Sequence, residues 1–202
     1  MANTAIRDLI TSVRYKIVDP DATNFSNAEL FSYFQDAHVA LHGLVAERRP
    51  KLIEEKKSGK TETGVNTISW QGEAYSKIKV RINGYLLTPL EAERQIDTTI
   101  TGEPRHFEVA GFTSIEIYPT PDNQYNYELS FVPQPTALLI DGTSPWPVSF
   151  DPYLVEYAAV RAGMRDEADM NQEASFMMQW SQKIKDALDS MAPSHGRVLG
   201  YW

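Results

Sequence analysis

A chain of 202 residues, 42% of them hydrophobic, has enough apolar material for one ordinary core with a small insert, and too much for a disordered chain. Its formal net charge of −8 argues against a nucleic-acid binder that works by neutralising phosphate, though not against a surface that DNA passes without sticking. The absence of cysteine excludes disulfides and thiolate metal sites, and no apolar run reaches a membrane span or the core of a signal peptide.

Asn3 to Ile17 reads as an amphipathic helix, because Ile6, Leu9, Ile10, Val13 and Ile17 recur at helical spacing while Arg7, Asp8, Arg14 and Lys16 fall elsewhere. Asp19-Pro20-Asp21 stops it, since proline cannot donate and disfavours helix in the residue before it. A second helix opens on Ser26 and Glu29, which have capping-box spacing, with Phe25 and Leu30 at the positions of a hydrophobic staple. Leu30, Phe34, Ala37 or His38, Leu41 and Val45 give its apolar stripe, and Arg48, Arg49 and Pro50 end it. Lys51 to Asn66 is charged and contains Gly59 and Gly64; it reads as a solvated connector.

Period-two alternation begins after it. Ile78, Val80 and Ile82 alternate with Lys77, Lys79 and Arg81, and Asn83-Gly84 before Tyr85-Leu86-Leu87 is a strong hairpin signal. Thr88-Pro89-Leu90-Glu91 looks like a cap with one or two helical turns, ending before Asp97. Ile115 and Ile117 alternate with Ser114 and Glu116. Tyr125, Tyr127, Leu129 and Phe131 alternate with Asn126, Glu128 and Ser130. Pro119 to Asn123 between these runs has turn chemistry, so the pair reads as a hairpin, with Tyr125 and Tyr127 stabilising its core.

Thr136 to Pro147 is a loop, stiffened at Pro145-Trp146-Pro147. Asp151 then caps a helix with Pro152 at its first position and a small-residue face of Leu154, Val155, Ala158, Ala159 and Ala162. A last helix runs from about Asp169 to Met191, with Met177, Trp180, Ile184, Leu188 and Met191 on one stripe. The plan is α+β: a discontinuous helical bundle from the N- and C-terminal helices, an inserted small antiparallel β domain and an extended C-terminal tail. The divisions fall at 1–66 (helices and connector), 67–135 (β domain), 136–192 (C-terminal helices) and 193–202 (tail). The tail ends on Val198, Leu199, Tyr201 and Trp202 and fits no core element. It either folds back on its own helices or inserts into a neighbour, where aromatic anchors carry interface energy.

Catalytic chemistry finds little support. His38 and His42 share a helix face, yet Val39 and Ala40 stand where a zinc-protease helix needs its glutamate pattern, and no third ligand is marked; they read as ordinary helix histidines. Ser58-Gly59-Lys60-Thr61 contains a G-K-T, but Glu54 occupies the position of the first phosphate-loop glycine. No G-x-S-x-G occurs, and nothing singles out a carboxylate pair. The Lys77, Lys79 and Arg81 stripe reads as the wet side of a half-buried strand, and the Met177, Met178 and Trp180 cluster as core. No cofactor or metal site is expected, and the chain reads as an assembly protein, not an enzyme.

Three stretches go further. Phe25-Ser-Asn-Ala-Glu-Leu-Phe-Ser-Tyr33 follows the first helix. Glu103-Pro-Arg-His-Phe107 precedes Ile115-Glu-Ile-Tyr-Pro-Thr-Pro121 and Tyr127-Glu-Leu-Ser-Phe131. Phe150-Asp-Pro-Tyr-Leu-Val-Glu-Tyr-Ala-Ala159 opens the next helix. In this order the chain resembles the head-to-tail adaptor (connector) proteins of tailed bacteriophages, over nearly its whole length. The Lys51–Lys60 connector and the details of the tail have no match in that pattern.

The resemblance implies a homo-oligomeric, dodecameric ring under the portal protein, in the neck of the virion and assembled in the host cytoplasm. Val198, Leu199, Tyr201 and Trp202 would anchor the tail on the portal, with Arg197 as a charge partner. The β part would face tail nozzle or fibre proteins, and the lumen would pass DNA without sequence-specific binding, helped by an acidic wall. Ring contacts would be heterologous, and no membrane is involved. The rival readings are a virion-associated cell-wall hydrolase and a carbohydrate- or receptor-binding tail module.

Overall fold

Residues 3–90, 99–165 and 170–191 are described by a computed structural model of the chain. The fold is α+β and divides into two units, Met1–Arg49 with Pro135–Trp202, and Pro50–Gln134.

The first unit contains the described helices α1 (Ile6–Lys16), α2 (Asn27–Arg48), α3 (Asp151–Gly163) and α4 (Met170–Ser190). α1 buries Ile6, Leu9, Ile10 and Val13 against α3 and α2, as its spacing predicts. Arg14 departs from expectation: it is buried. The end of α1 explains this. Val18 takes up the left-handed backbone at φ 57°, the Asp19 N–H reaches back 2.9 Å to the Arg14 carbonyl, and the turn so formed brings the Asp19 carboxylate to the Arg14 guanidinium at 3.0 Å.

Ser26 caps α2 by accepting from the Glu29 N–H at 3.1 Å. The Glu29 carboxylate lies by Tyr33 and Arg165, and the Arg165 guanidinium stands 4.3 Å over the Phe25 ring. The stripe Leu30, Phe34, Ala37, His38, Leu41 and Val45 is buried throughout. At α3, Asp151 is the first helical residue and not its cap. Phe150 precedes it as the end of a short 3₁₀ turn, and the Asp151 carboxylate accepts from the Thr4 hydroxyl. In α4, Trp180 is buried, edge-on to Tyr157 at 5.1 Å, with its indole N–H donated to the Tyr153 carbonyl at 2.9 Å. Met178 and Met191 are exposed, so the expected core cluster reduces to Trp180 with Ile184 and Leu188 below it.

The second unit holds two sheets that share one core. β1 (Glu55–Lys60), β8 (Asn126–Pro133), β3 (Ala74–Ile82) and β4 (Tyr85–Leu86) form one, in that spatial order. β2 (Thr67–Ser69), β7 (Ser114–Tyr118), β6 (His106–Gly111) and β5 (Thr88–Pro89) form the other. Val80, Ile82, Leu129 and Phe131 from the first meet Ile68, Phe107, Ile115 and Ile117 from the second, and Trp70 stacks 5.5 Å from Phe131.

The β3–β4 hairpin is as expected. Asn83 and Gly84 both have positive φ, which a two-residue turn between twisted strands requires, and Lys77, Lys79 and Arg81 face solvent. Four expectations are corrected. β7 and β8 are not a hairpin: β7 pairs with β2 and β6, β8 with β1 and β3, and residues 119–125 carry the chain from one sheet to the other. The supposed connector contributes strand β1. Thr88 and Pro89 are a short strand parallel to β6, so the β region is mixed and not purely antiparallel. The helical turns placed after them fall on residues 91–98, outside the described residues. Finally, Ser130 is buried beside Leu129, Phe131 and Val132, because β8 has a partner strand along each edge.

β1 runs so close to β8 that an ideal Cβ on Gly59 would lie 2.7 Å from the Tyr127 hydroxyl oxygen. Gly59 therefore makes the seat that lets Tyr127 pack against the core. Gly59→Val should displace that ring and destabilise the unit by about 1–3 kcal/mol. In denaturant titrations, combining it with Tyr127→Ala should lose less than the two single changes added. Strict additivity would disprove the seat.

Candidate interaction surfaces

Among the described residues no group of three or more His, Asp or Glu is placed to hold a metal ion. His38 accepts the indole N–H of Trp146 on Nδ1 at 2.9 Å and donates from Nε2 to the Thr136 carbonyl at 2.9 Å. Those two neighbours fix a neutral tautomer, and burial pushes the His38 pKa down, against the raising effect of the Thr136 bond. His42 packs 6.5 Å from it, its pKa also lowered, first by burial and then by His38. One turn earlier, the Gln35 amide both donates to the Leu138 carbonyl at 3.0 Å and accepts its N–H at 3.1 Å. This face of α2 thus holds the segment 136–146 in place, a structural role.

The surfaces of the second unit are more informative. In an antiparallel ladder, residues opposite one another share a face. Lys56, Ser130 and Lys79 form one such row; Ser58, Glu128 and Arg81 form the next; Lys60 lies opposite Asn126. The outer face of the first sheet therefore gathers Lys56, Lys60, Lys79 and Arg81 around the single carboxylate of Glu128, which Lys56 contacts at 3.1 Å. Lys56, Lys60, Lys79 and Arg81 are all exposed, on a chain whose net charge is negative.

The outer face of the second sheet has the opposite sign. Thr67, Glu116 and Glu108 form one row, and His106 lies opposite Tyr118. Glu108 and Glu116 are direct cross-strand partners, a like-charge pair that a sheet normally avoids. Glu116 accepts from the Tyr118 hydroxyl. That bond, together with burial and the charges of Glu116 and Glu108, raises the Tyr118 pKa to about 12. Beyond this face, an apolar groove of about 340 Å³ opens between Ala74–Ile78 and Val109–Phe112, with Tyr75 and Phe112 exposed at its lips.

Sequence reasoning found Lys79 and Arg81 on the wet side of β3. It missed that Lys56 and Lys60 extend the same face, because β1 has no apolar alternation to reveal it as a strand. It also missed the Glu108–Glu116 pairing, which depends on register. The expected anchors Arg197, Val198, Leu199, Tyr201 and Trp202 lie outside the described residues, and no described helix is long and apolar enough to cross a membrane. A family model described as SU10 adaptor protein matches residues 4–199. No curated protein matches the chain.

Proposed function

This chain belongs to the SU10 adaptor protein family, a family of phage head-to-tail adaptors and so of structural virion proteins, and from that premise we propose that its copies close into a dodecameric ring beneath the portal. In this role the ring joins capsid to tail in the virion neck, assembles in the host cytoplasm, and lines the passage by which DNA leaves. The observation that carries the reading is the extent of the family match, which spans both units from residue 4 to residue 199. The acidic balance of the chain supports it, because a negative wall repels the phosphate backbone and does not trap it. Tail residues Val198, Leu199, Tyr201 and Trp202, with Arg197 beside them, grip the portal, and the β unit meets nozzle or fibre proteins.

Light scattering on the purified chain, alone and mixed with the portal protein of its phage, tests this. The expected result is addition of many copies to each portal ring. A chain that stays monomeric and ignores portal would overturn the proposal; peptidoglycan cleavage or sugar affinity in the same preparation would then point to a hydrolase or a receptor-binding module.

A further inference from the structure

We propose that neighbouring copies of this chain dock sheet face to sheet face, the basic outer face of β1, β8 and β3 on one copy resting on the acidic outer face of β7 and β6 on the next. The inference rests on the ring reading and supplies its contact surface.

Several observations converge on it. The two faces belong to sheets that share one core, so they point away from each other, and a single copy cannot pair them internally. They are complementary: Lys60, Lys79 and Arg81 outweigh Glu128 on one, while Glu108 and Glu116 stand directly opposed on the other. The Glu108–Glu116 juxtaposition is destabilising in an isolated sheet, and a cation delivered by a neighbour removes the penalty. The two surfaces are different, so the contact is heterologous. It repeats in one direction and closes into a ring when the rotation allows. A nucleic-acid occupant is disfavoured for the basic face. Glu128 sits at its centre, no aromatic side chain stands in its rows for bases to stack on, and the whole chain carries −8. A carboxylate-bearing protein face fits better, and this chain carries one.

Charge exchange tests the pairing in the full-length chain. Lys60→Glu/Lys79→Glu makes both faces acidic; Glu108→Lys/Glu116→Lys gives both faces basic character. Lys60, Lys79 and Glu108 lie on exposed strand positions and Glu116 is half-buried. Each variant alone should assemble at least about tenfold more weakly than the parent, on its own or on portal protein, as measured by light scattering. An equimolar mixture of the two should regain the parent's assembled mass, because opposite faces meet again in an alternating ring. A folding defect would not be rescued by mixing. Glu108→Lys by itself should raise the melting temperature of the dispersed chain, since it turns the like-charge pair with Glu116 into an attractive one. If the parent forms multi-copy rings and Lys60→Glu/Lys79→Glu joins them undiminished, or the mixture fails to regain mass, the face pairing is wrong while the ring stands. If the parent forms no multi-copy assembly at all, with or without portal, the ring reading and this contact fall together.

Discussion

Asp19→Ala should lower the melting temperature of the helical unit by roughly 10 °C, the largest loss expected from a single change in that unit. Asp19 is 2% exposed, and its side chain organises the whole α1–α2 connection. One carboxylate oxygen accepts from the Thr23 N–H at 2.8 Å, the Thr23 hydroxyl at 2.9 Å and the Asn24 N–H at 3.1 Å; the other accepts from the Phe25 N–H at 3.1 Å and from Arg14 at 3.0 Å. Truncation leaves three backbone N–H donors and one hydroxyl donor unsatisfied, and the Arg14 guanidinium buried without its counter-charge. It also releases a strained turn, since Val18 and Ala22 both hold left-handed backbone, at φ 57° and 56°.

The same site predicts an acid response. Burial alone would raise the Asp19 pKa, but the bonds from Asn24, Thr23 and Phe25 outweigh it and hold the value below the ordinary 3.8. A depressed carboxylate contributes stability that is fully present above its unfolded value and is lost as pH falls through the folded one. Below about pH 4 the parent should therefore lose melting temperature faster than Asp19→Asn, which has no such proton to take up. Thermal melts of the two proteins across that range check it; parallel slopes would disprove it.

Removing Pro193–Trp202 should abolish capture by portal protein, with affinity falling at least about a hundredfold, while the melting temperature stays that of the full chain. The argument is chemical. Val198, Leu199, Tyr201 and Trp202 concentrate in a few residues the side-chain types that supply most binding energy at interfaces. Gly196 and Gly200 supply backbone freedom for fitting a surface, and Arg197 can meet a carboxylate there. Co-sedimentation with purified portal measures the affinity and circular dichroism the fold. Portal binding that survives the truncation would remove the tail from the interface; a collapse of the melting transition would instead place it in the chain's own core.

The charge-exchange and truncation tests probe different surfaces. The first reads contacts between copies, the second the contact to portal, so a chain that fails one can pass the other.

Local chemistry wrote several elements directly. Ser26 caps α2 because its hydroxyl can reach the Glu29 N–H three residues on, whatever lies elsewhere. Asn83-Gly84 turns β3 into β4 because those two residues tolerate positive φ. Alternation at Ile78, Val80 and Ile82 separated the core side of β3 from its lysines, since a period of two is a property of the strand itself. What the tertiary structure decided was partnership. Nothing local distinguishes β7 and β8 as a hairpin from β7 and β8 in separate sheets; the choice depends on β6 and β2 filling both edges of β7. Glu55–Lys60 is polar on both sides and becomes a strand only because the edge of β8 is open to it. Arg14 and Asp19 look like solvated charges until the turn between α1 and α2 closes over them. Period and capping report on neighbours a few residues apart. Register, charge facing and burial of ions depend on chain segments that only the assembled core brings together.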